Sequence, residues 1–205
     1  MDEIREVGIE KEMFLLKDKF ICEPSKYGFP GDEMGFLIEL RSLPSDRAYP
    51  VITTLYNEEL QYNLRANKFG MQLSPIPFLY VDENFVNYIK ETYKIMDFED
   101  FTKNIYGTEE THHLGILKEG DRYRLTSGVH VHFSSRNSNS GEVINLPIEQ
   151  IVKRMDEAFE IEINNTNRMK GEWEPKKHGF EYRSLPCNVD IITVVKEAFK
   201  ILRSV

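Results

Sequence analysis

The sequence predicts an α+β fold: a mainly antiparallel sheet with one polar face, and helices packed on the other. Three observations predict it. Strand-like runs alternate between apolar and polar residues, as an antiparallel sheet buried on one side requires. Four of those runs carry two polar or charged groups at i and i+2, which places each pair on a single face. Between the runs lie segments with apolar groups at helical spacing and recognisable caps. The element order β, β, α, β, α, β, α, β, α also fits a parallel sheet, but parallel strands are covered on both faces and do not alternate.

The elements follow in order. Val7 to Leu16 (V-G-I-E-K-E-M-F-L-L) sets Ile9 and Met13 on one parity and Glu10 and Glu12 on the other, a strand. Turn chemistry at Phe29-Pro-Gly-Asp32 leads to a second strand, Phe36 to Arg41, which a Pro44-Ser45-Asp46 break ends. Pro50 to Lys68 reads as a helix, with its proline early and Gly70 just beyond its end. Pro75 and Pro77 make Met71 to Val81 an edge strand or extended segment. Asp82 then caps a helix through about Ile95, and Asp97 to Tyr106 adds a short one. Arg122 to Ser134 is a strand with Gly128 as a candidate bulge, followed by the polar loop Asn137 to Gly141. Pro147 to about Ile163 is a helix with Ile148, Ile151, Val152, Met155 and Phe159 on one side. Phe180 to Arg183 is the last strand, and Asn188 caps a terminal helix carrying Ile191, Val194, Val195, Phe199 and Leu202.

The 205 residues suit one domain, 1–205. With 40% hydrophobic and 12% aromatic residues, there is enough apolar material for a core. The 26 basic against 34 acidic residues give a net charge of −8, spread along the chain, which argues against broad nucleic-acid binding and leaves room for a local cationic pocket. Cys22 and Cys187 are too few for a disulfide framework. No stretch has signal-peptide character or approaches the roughly 18 apolar residues of a membrane helix, so the expectation is a cytoplasmic protein without a membrane partner.

The four pairs are Glu10/Glu12, Glu39/Arg41, His130/His132 and Glu181/Arg183. Any one of them alone is what the solvated side of a strand provides. Together they hold only Glu, His and Arg, where an ordinary wet face would be rich in Lys, Thr, Ser and Gln. Side by side, four carboxylates would either raise their pKa values or require cations. Glutamate oxygens with one or two imidazoles suit Mg2+ or Mn2+, whereas Zn2+ more often takes several His or Cys ligands. The sequence also echoes itself: Glu39-Leu-Arg-Ser-Leu-Pro44 returns as Glu181-Tyr-Arg-Ser-Leu-Pro186. Before the last strand, Asn167 to Gly179 gathers Arg168, Lys170, Lys176 and Lys177, cations of the kind a polyphosphate needs beside a metal site. Neither G-x-x-x-x-G-K-S/T nor G-x-G-x-x-G occurs, which argues against a P-loop or Rossmann nucleotide site.

In that order, G-I-E-K-E (8–12), G-F-L-I-E-L-R (35–41), S-G-V-H-V-H-F-S (127–134) and R-M-K-G-E-W-E-P-K-K-H-G-F-E-Y-R-S-L-P (168–186) resemble the glutamine synthetase and glutamate-cysteine ligase superfamily. The resemblance is nearest to its small phage-type branch of carboxylate-amine ligases. It implies a glutamine synthetase-like catalytic domain whose sheet face binds Mg2+ (or Mn2+) and ATP. It also implies that Glu10, Glu12, Glu39, His130 and Glu181 are metal ligands and that His132 lies near the nucleotide phosphates. Arg41, Arg168, Arg183 and Lys176 would then meet the phosphates or the reacting carboxylate. The activity implied is an amidoligase that joins a small-molecule or peptide carboxylate to an amine through an acyl phosphate. The chain is much shorter than the full synthetases, so the identities of the two substrates do not transfer. A further acidic ligand is expected between residues 70 and 120, with Glu109 or Glu110 as candidates. Larger members can place active sites between subunits, so an oligomer stays open.

Two other classes compete with the ligase. A metal-dependent hydrolase or nuclease would use the same carboxylates to activate water, but leaves the Glu-x-Arg strands and the basic stretch with less to do. A non-catalytic protein could keep the sheet and bind a nucleotide or a peptide terminus.

Overall fold

A computed structural model describes residues 3–31, 35–93 and 116–205. Asp32, Ile95, the Asp97 to Tyr106 segment and Glu109 and Glu110 lie outside the described residues. Every strand pairing among the described residues is antiparallel. The molecule is an α+β structure with an antiparallel sheet, as its alternating strands predict, and that sheet is curled.

The spine is β1, Glu3–Lys17. Its hairpin to β2 (Phe20–Ile21) turns through Asp18 and Lys19, both at positive φ, the two-residue geometry that matches the twist of antiparallel strands. Along one edge of β1 run β8 (Gly128–Asn137) and then β4 (Gln72–Ser74); along the other runs β3 (Leu37–Arg41). The far side of β8 carries β10 (Gly179–Pro186), which in turn carries β9 (Trp173–Lys176). At Glu10 the strand order is therefore β3-β1-β8-β10-β9.

One face of this sheet is apolar. Ile9, Met13, Ile38, Leu40, Val131, Phe133 and Tyr182 lie within 1% of complete burial. They share a core with residues of α1 (Ala48–Lys68), α3 (Ile148–Ala158), α4 (Glu160–Asn165) and α5 (Ile191–Arg203). At about 1.5–3 kcal/mol for each large apolar side chain, this layer supplies most of the driving force for folding. The expected single helix from Pro147 is broken at Phe159, whose φ of −122° is not helical. The terminal helix is capped by Asp190, whose carboxylate accepts from the Thr193 amide at 3.1 Å, two residues later than the expected Asn188.

A second, three-stranded sheet lies beyond what the alternation predicts. It orders β5 (Phe78–Val81), β7 (Arg122–Thr126) and β6 (Ile116–Glu119), with α2 (Glu83–Tyr93) against it. Asp82 caps α2 as expected, accepting from the Phe85 amide at 2.9 Å. The Met71 to Val81 segment is split between the two sheets, with Pro75 and Pro77 in the gap. The Arg122 to Ser134 strand is split as well, because Ser127 leaves the ladder and bonds Pro77 O and Ile76 O instead. Phe14 and Leu16 share the parity of Glu10 and Glu12 but are buried with Phe36, Val86, Ile89 and Leu125. The polar face of β1 thus ends at Glu12.

Among the described residues, no helix is long and apolar enough to cross a membrane.

Candidate metal centre

Strand register decides which polar groups meet. Glu10 pairs with His130 on one side and Arg41 on the other, Glu12 pairs with Glu39, and His132 pairs with Glu181. Since alternate residues share a face, all four predicted pairs rise from the side opposite the helices.

At the centre, Glu10, His130 and Glu181 each offer a ligand atom within 4.8 Å of the others. His130 is 3% exposed and Glu181 1%. His130 Nδ1 is 2.9 Å from Glu181 Oε1 and 3.9 Å from Glu10 Oε2. The short contact to Glu181 lacks hydrogen-bond alignment, and among the described residues this buried nitrogen has no hydrogen-bond partner. Two carboxylates and an imidazole nitrogen converging in this way could hold a metal ion. Glu12 stands beside the group: its Oε1 is 3.8 Å from His130 Nε2, and its Oε2 accepts from the Gly128 amide at 2.7 Å.

Cations ring the carboxylates. Arg41 reaches Glu39 at 2.6 Å and Glu10 at 3.2 Å. Lys176 Nζ is 2.7 Å from Glu181 and 3.0 Å from Glu174, and Arg183 contacts the same two carboxylates. His132 Nε2 lies 3.4 Å from Glu10, and its ring is 5.6 Å from that of His178.

This ring sets the ionisation. Burial alone would raise the Glu10 carboxyl, but the imidazoles of His130 and His132 beside it hold it well below the usual range. Burial likewise opposes Glu181, and the close imidazole of His130, with Arg183, holds it low. Burial and Arg183 push the His130 imidazole down, yet Glu12, Glu181 and Glu10 outweigh them and bring it to about 9. Glu39 goes the other way: burial, then the Glu10 charge, raise it to about 7 against Arg41.

Of the predicted residues, Glu10, Glu12, Glu39, His130, His132, Glu181, Arg41, Arg183 and Lys176 come together on this face. Arg168 does not join them: its guanidinium is spent on three backbone carbonyls. Sequence reading missed Glu174, the strand partner of Glu181. Its signal was present, since Glu174 and Lys176 form a fifth i, i+2 pair, hidden by Pro175 in what reads as a loop. Reading also missed Glu172, which is buried and raised to about 7 by that burial against Arg168 and Arg183. A groove of about 600 Å3 on α1, lined by Gln61, Tyr62, Leu64, Arg65, Lys68 and Phe69, includes none of these groups.

No protein-family model matches the chain, and neither a curated protein nor a solved structure matches it.

Proposed function

We propose that this chain is an ATP- and Mg2+-dependent carboxylate-amine ligase. The observation that carries the reading is the group of half-buried Glu10 with buried His130 and Glu181, framed on its own sheet face by Arg41, Arg183 and Lys176. In this reading Glu10, His130 and Glu181 hold a cation, with Glu12 and Glu39 beside them and His132 toward the nucleotide phosphates. When bound, such cations neutralise a polyphosphate and stabilise charge spread over a transferring phosphoryl group. A substrate carboxylate oxygen attacks the γ-phosphorus and ADP leaves; an amine then displaces phosphate from the acyl phosphate, giving the amide.

The protein's part is placement and charge. Arg183 and Lys176 both lean on Glu181, and if that carboxylate were to hold a cation, their charge would be left for an incoming anion. Arg41 bridges Glu10 and Glu39 at the opposite rim and can do the same there. Cations on both sides of the carboxylates favour the ligase over a water-activating hydrolase, which gives them less to do. The substrates fall in the class of a small-molecule or peptide carboxylate and an amine.

The test is ADP release with a panel of carboxylates and amines in the presence of Mg2+. ADP release should require both substrates and should fall at least about 100-fold in Glu10→Ala and in Arg183→Ala, the scale of losing one preorganised charge contact. Turnover untouched by both substitutions would sink the site assignment. Metal-dependent hydrolysis without ATP would move the protein to the hydrolase class. Nucleotide binding without turnover would make it a binding protein.

A further inference from the structure

The ladder between β8 and β10 is regular on each side of one fault. Tyr182 pairs with Val131 and Leu185 with Val129, so Arg183 and Ser184 both lie opposite the single residue His130. This is a β-bulge, and it sits in β10 rather than at Gly128. The extra residue resets the parity of the strand: Arg183 keeps the polar face with Glu181, and Leu185 returns to the core, fully buried.

A bulge takes backbone groups out of the ladder, and buried backbone groups need partners. Arg168 supplies them. Its guanidinium donates to Arg183 O at 2.7 Å, to Ser184 O at 3.2 Å and to Ser127 O at 3.3 Å. The first two carbonyls belong to the two bulged residues, and the third immediately precedes β8. One planar fork therefore ties the bulge to the start of the strand that carries His130, a geometry a lysine point charge cannot reproduce. Gly128 leaves it room: a Cβ there would lie 2.9 Å from Arg168 Nη2 and 3.0 Å from Leu185 O. The Gly128 amide in turn donates to Glu12.

We infer that Arg168 is a positioning residue, which sets His130, Glu181 and Glu12 in place by pinning the β10 bulge to the beginning of β8. The inference rests on the proposed cation site and takes Arg168 out of the phosphate-binding role that the family resemblance implies. It acts through backbone carbonyls and touches none of the candidate ligands.

The experiment uses the full chain with Arg168→Lys, Arg168→Ala and Gly128→Ala, the last keeping the arginine but driving a methyl against it. The readouts are the 15N resonances of the His130 imidazole without metal, and the affinity for Mn2+ by titration calorimetry. Val195→Ala, in the α5 core, is the control for loss of stability alone. All three site variants should shift the His130 resonances and weaken Mn2+ binding by about tenfold or more, the scale seen for groups that orient metal ligands. Added guanidinium ion should restore part of the affinity in Arg168→Ala, and the control should change neither readout. His130 resonances and Mn2+ affinity unchanged in folded Arg168→Lys and Gly128→Ala would overturn the inference, as would equal shifts in Val195→Ala. A wild-type protein that binds no Mn2+ would defeat the proposed function, and the His130 resonances would still decide the role of Arg168.

Discussion

The motif Glu-x-Arg-Ser-Leu-Pro occurs twice, and its two copies have opposite fates. In both, the arginine pairs with the glutamate two residues earlier, and the serine hydroxyl accepts a backbone amide from a neighbouring segment: Ile9 for Ser42 and Glu172 for Ser184. There the likeness stops. On β3 the strand is regular, Arg41 is largely exposed and Leu43 is 67% exposed. On β10 a bulge intervenes, and Glu181 and Leu185 are buried. Glu39, among the carboxylates of Glu10 and Glu12, is raised to about 7; Glu181, among His130, Arg183 and Lys176, is held low. A shared motif fixes the local pairing. The neighbouring strands decide what each carboxylate is worth.

That contrast makes graded predictions. The largest concerns the glutamates. Glu181→Ala leaves His130, Arg183 and Lys176 without their common counter-charge and should cost about 3–5 kcal/mol, as for one partner removed from a buried ion pair. Glu39→Ala removes a carboxylate that burial and Glu10 already disfavour and whose partner Arg41 is exposed, so it should cause no loss of stability near neutral pH. Urea denaturation measures both, and equal losses would break the comparison.

The leucines come next. Leu185→Ala opens a cavity in the main core and should cost about 2–5 kcal/mol. Leu43→Ala removes an exposed side chain and should stay within about 0.5 kcal/mol. The same denaturation assay sharpens or removes the distinction between the two Ser-Leu-Pro segments.

The last contrast is a pH dependence of opposite sign in the two copies. Glu39 has its folded pKa raised from 4.5 to about 7, so the native state keeps a proton that the unfolded chain gives up, and stability falls as pH rises through that window. Glu39→Gln should therefore gain in melting temperature relative to wild type between pH 4.5 and 7 and hold the gain above it. Glu181 is lowered from 4.5, so its contribution is present above pH 4.5 and is lost as pH falls below it. Glu181→Gln should look worst against wild type near neutrality and less so in acid. Melting curves from strongly acidic to mildly alkaline pH test both signs; parallel profiles for the two variants would contradict the assigned environments.

Much of the site is legible in the amino-acid sequence alone. Alternation puts Glu10 with Glu12 and His130 with His132 on one face, because side-chain direction in a strand repeats every two residues and needs no knowledge of the partner strand. The long amphipathic helices and the Asp82 cap are legible for the same local reason. What is not legible crosses the chain. Arg168 sits within a run of cations and looks like a phosphate ligand until the bulge beside it shows where its donors go. Glu174 is hidden because proline on an edge strand reads as loop. Phe14 and Leu16 continue the parity of the glutamates, and only the second sheet explains why that face turns apolar after Glu12.

The sequence by itself determined the α+β class, the two faces of the main strands and the residue types that could hold a cation, all consequences of short-range periodicity. The tertiary structure decided which pairs meet, that β10 bulges opposite His130, and that two copies of one motif hold carboxylates of opposite character. Register and bulges depend on pairings between residues far apart in the chain, such as Glu10 with His130, and charge environments depend on those pairings in turn.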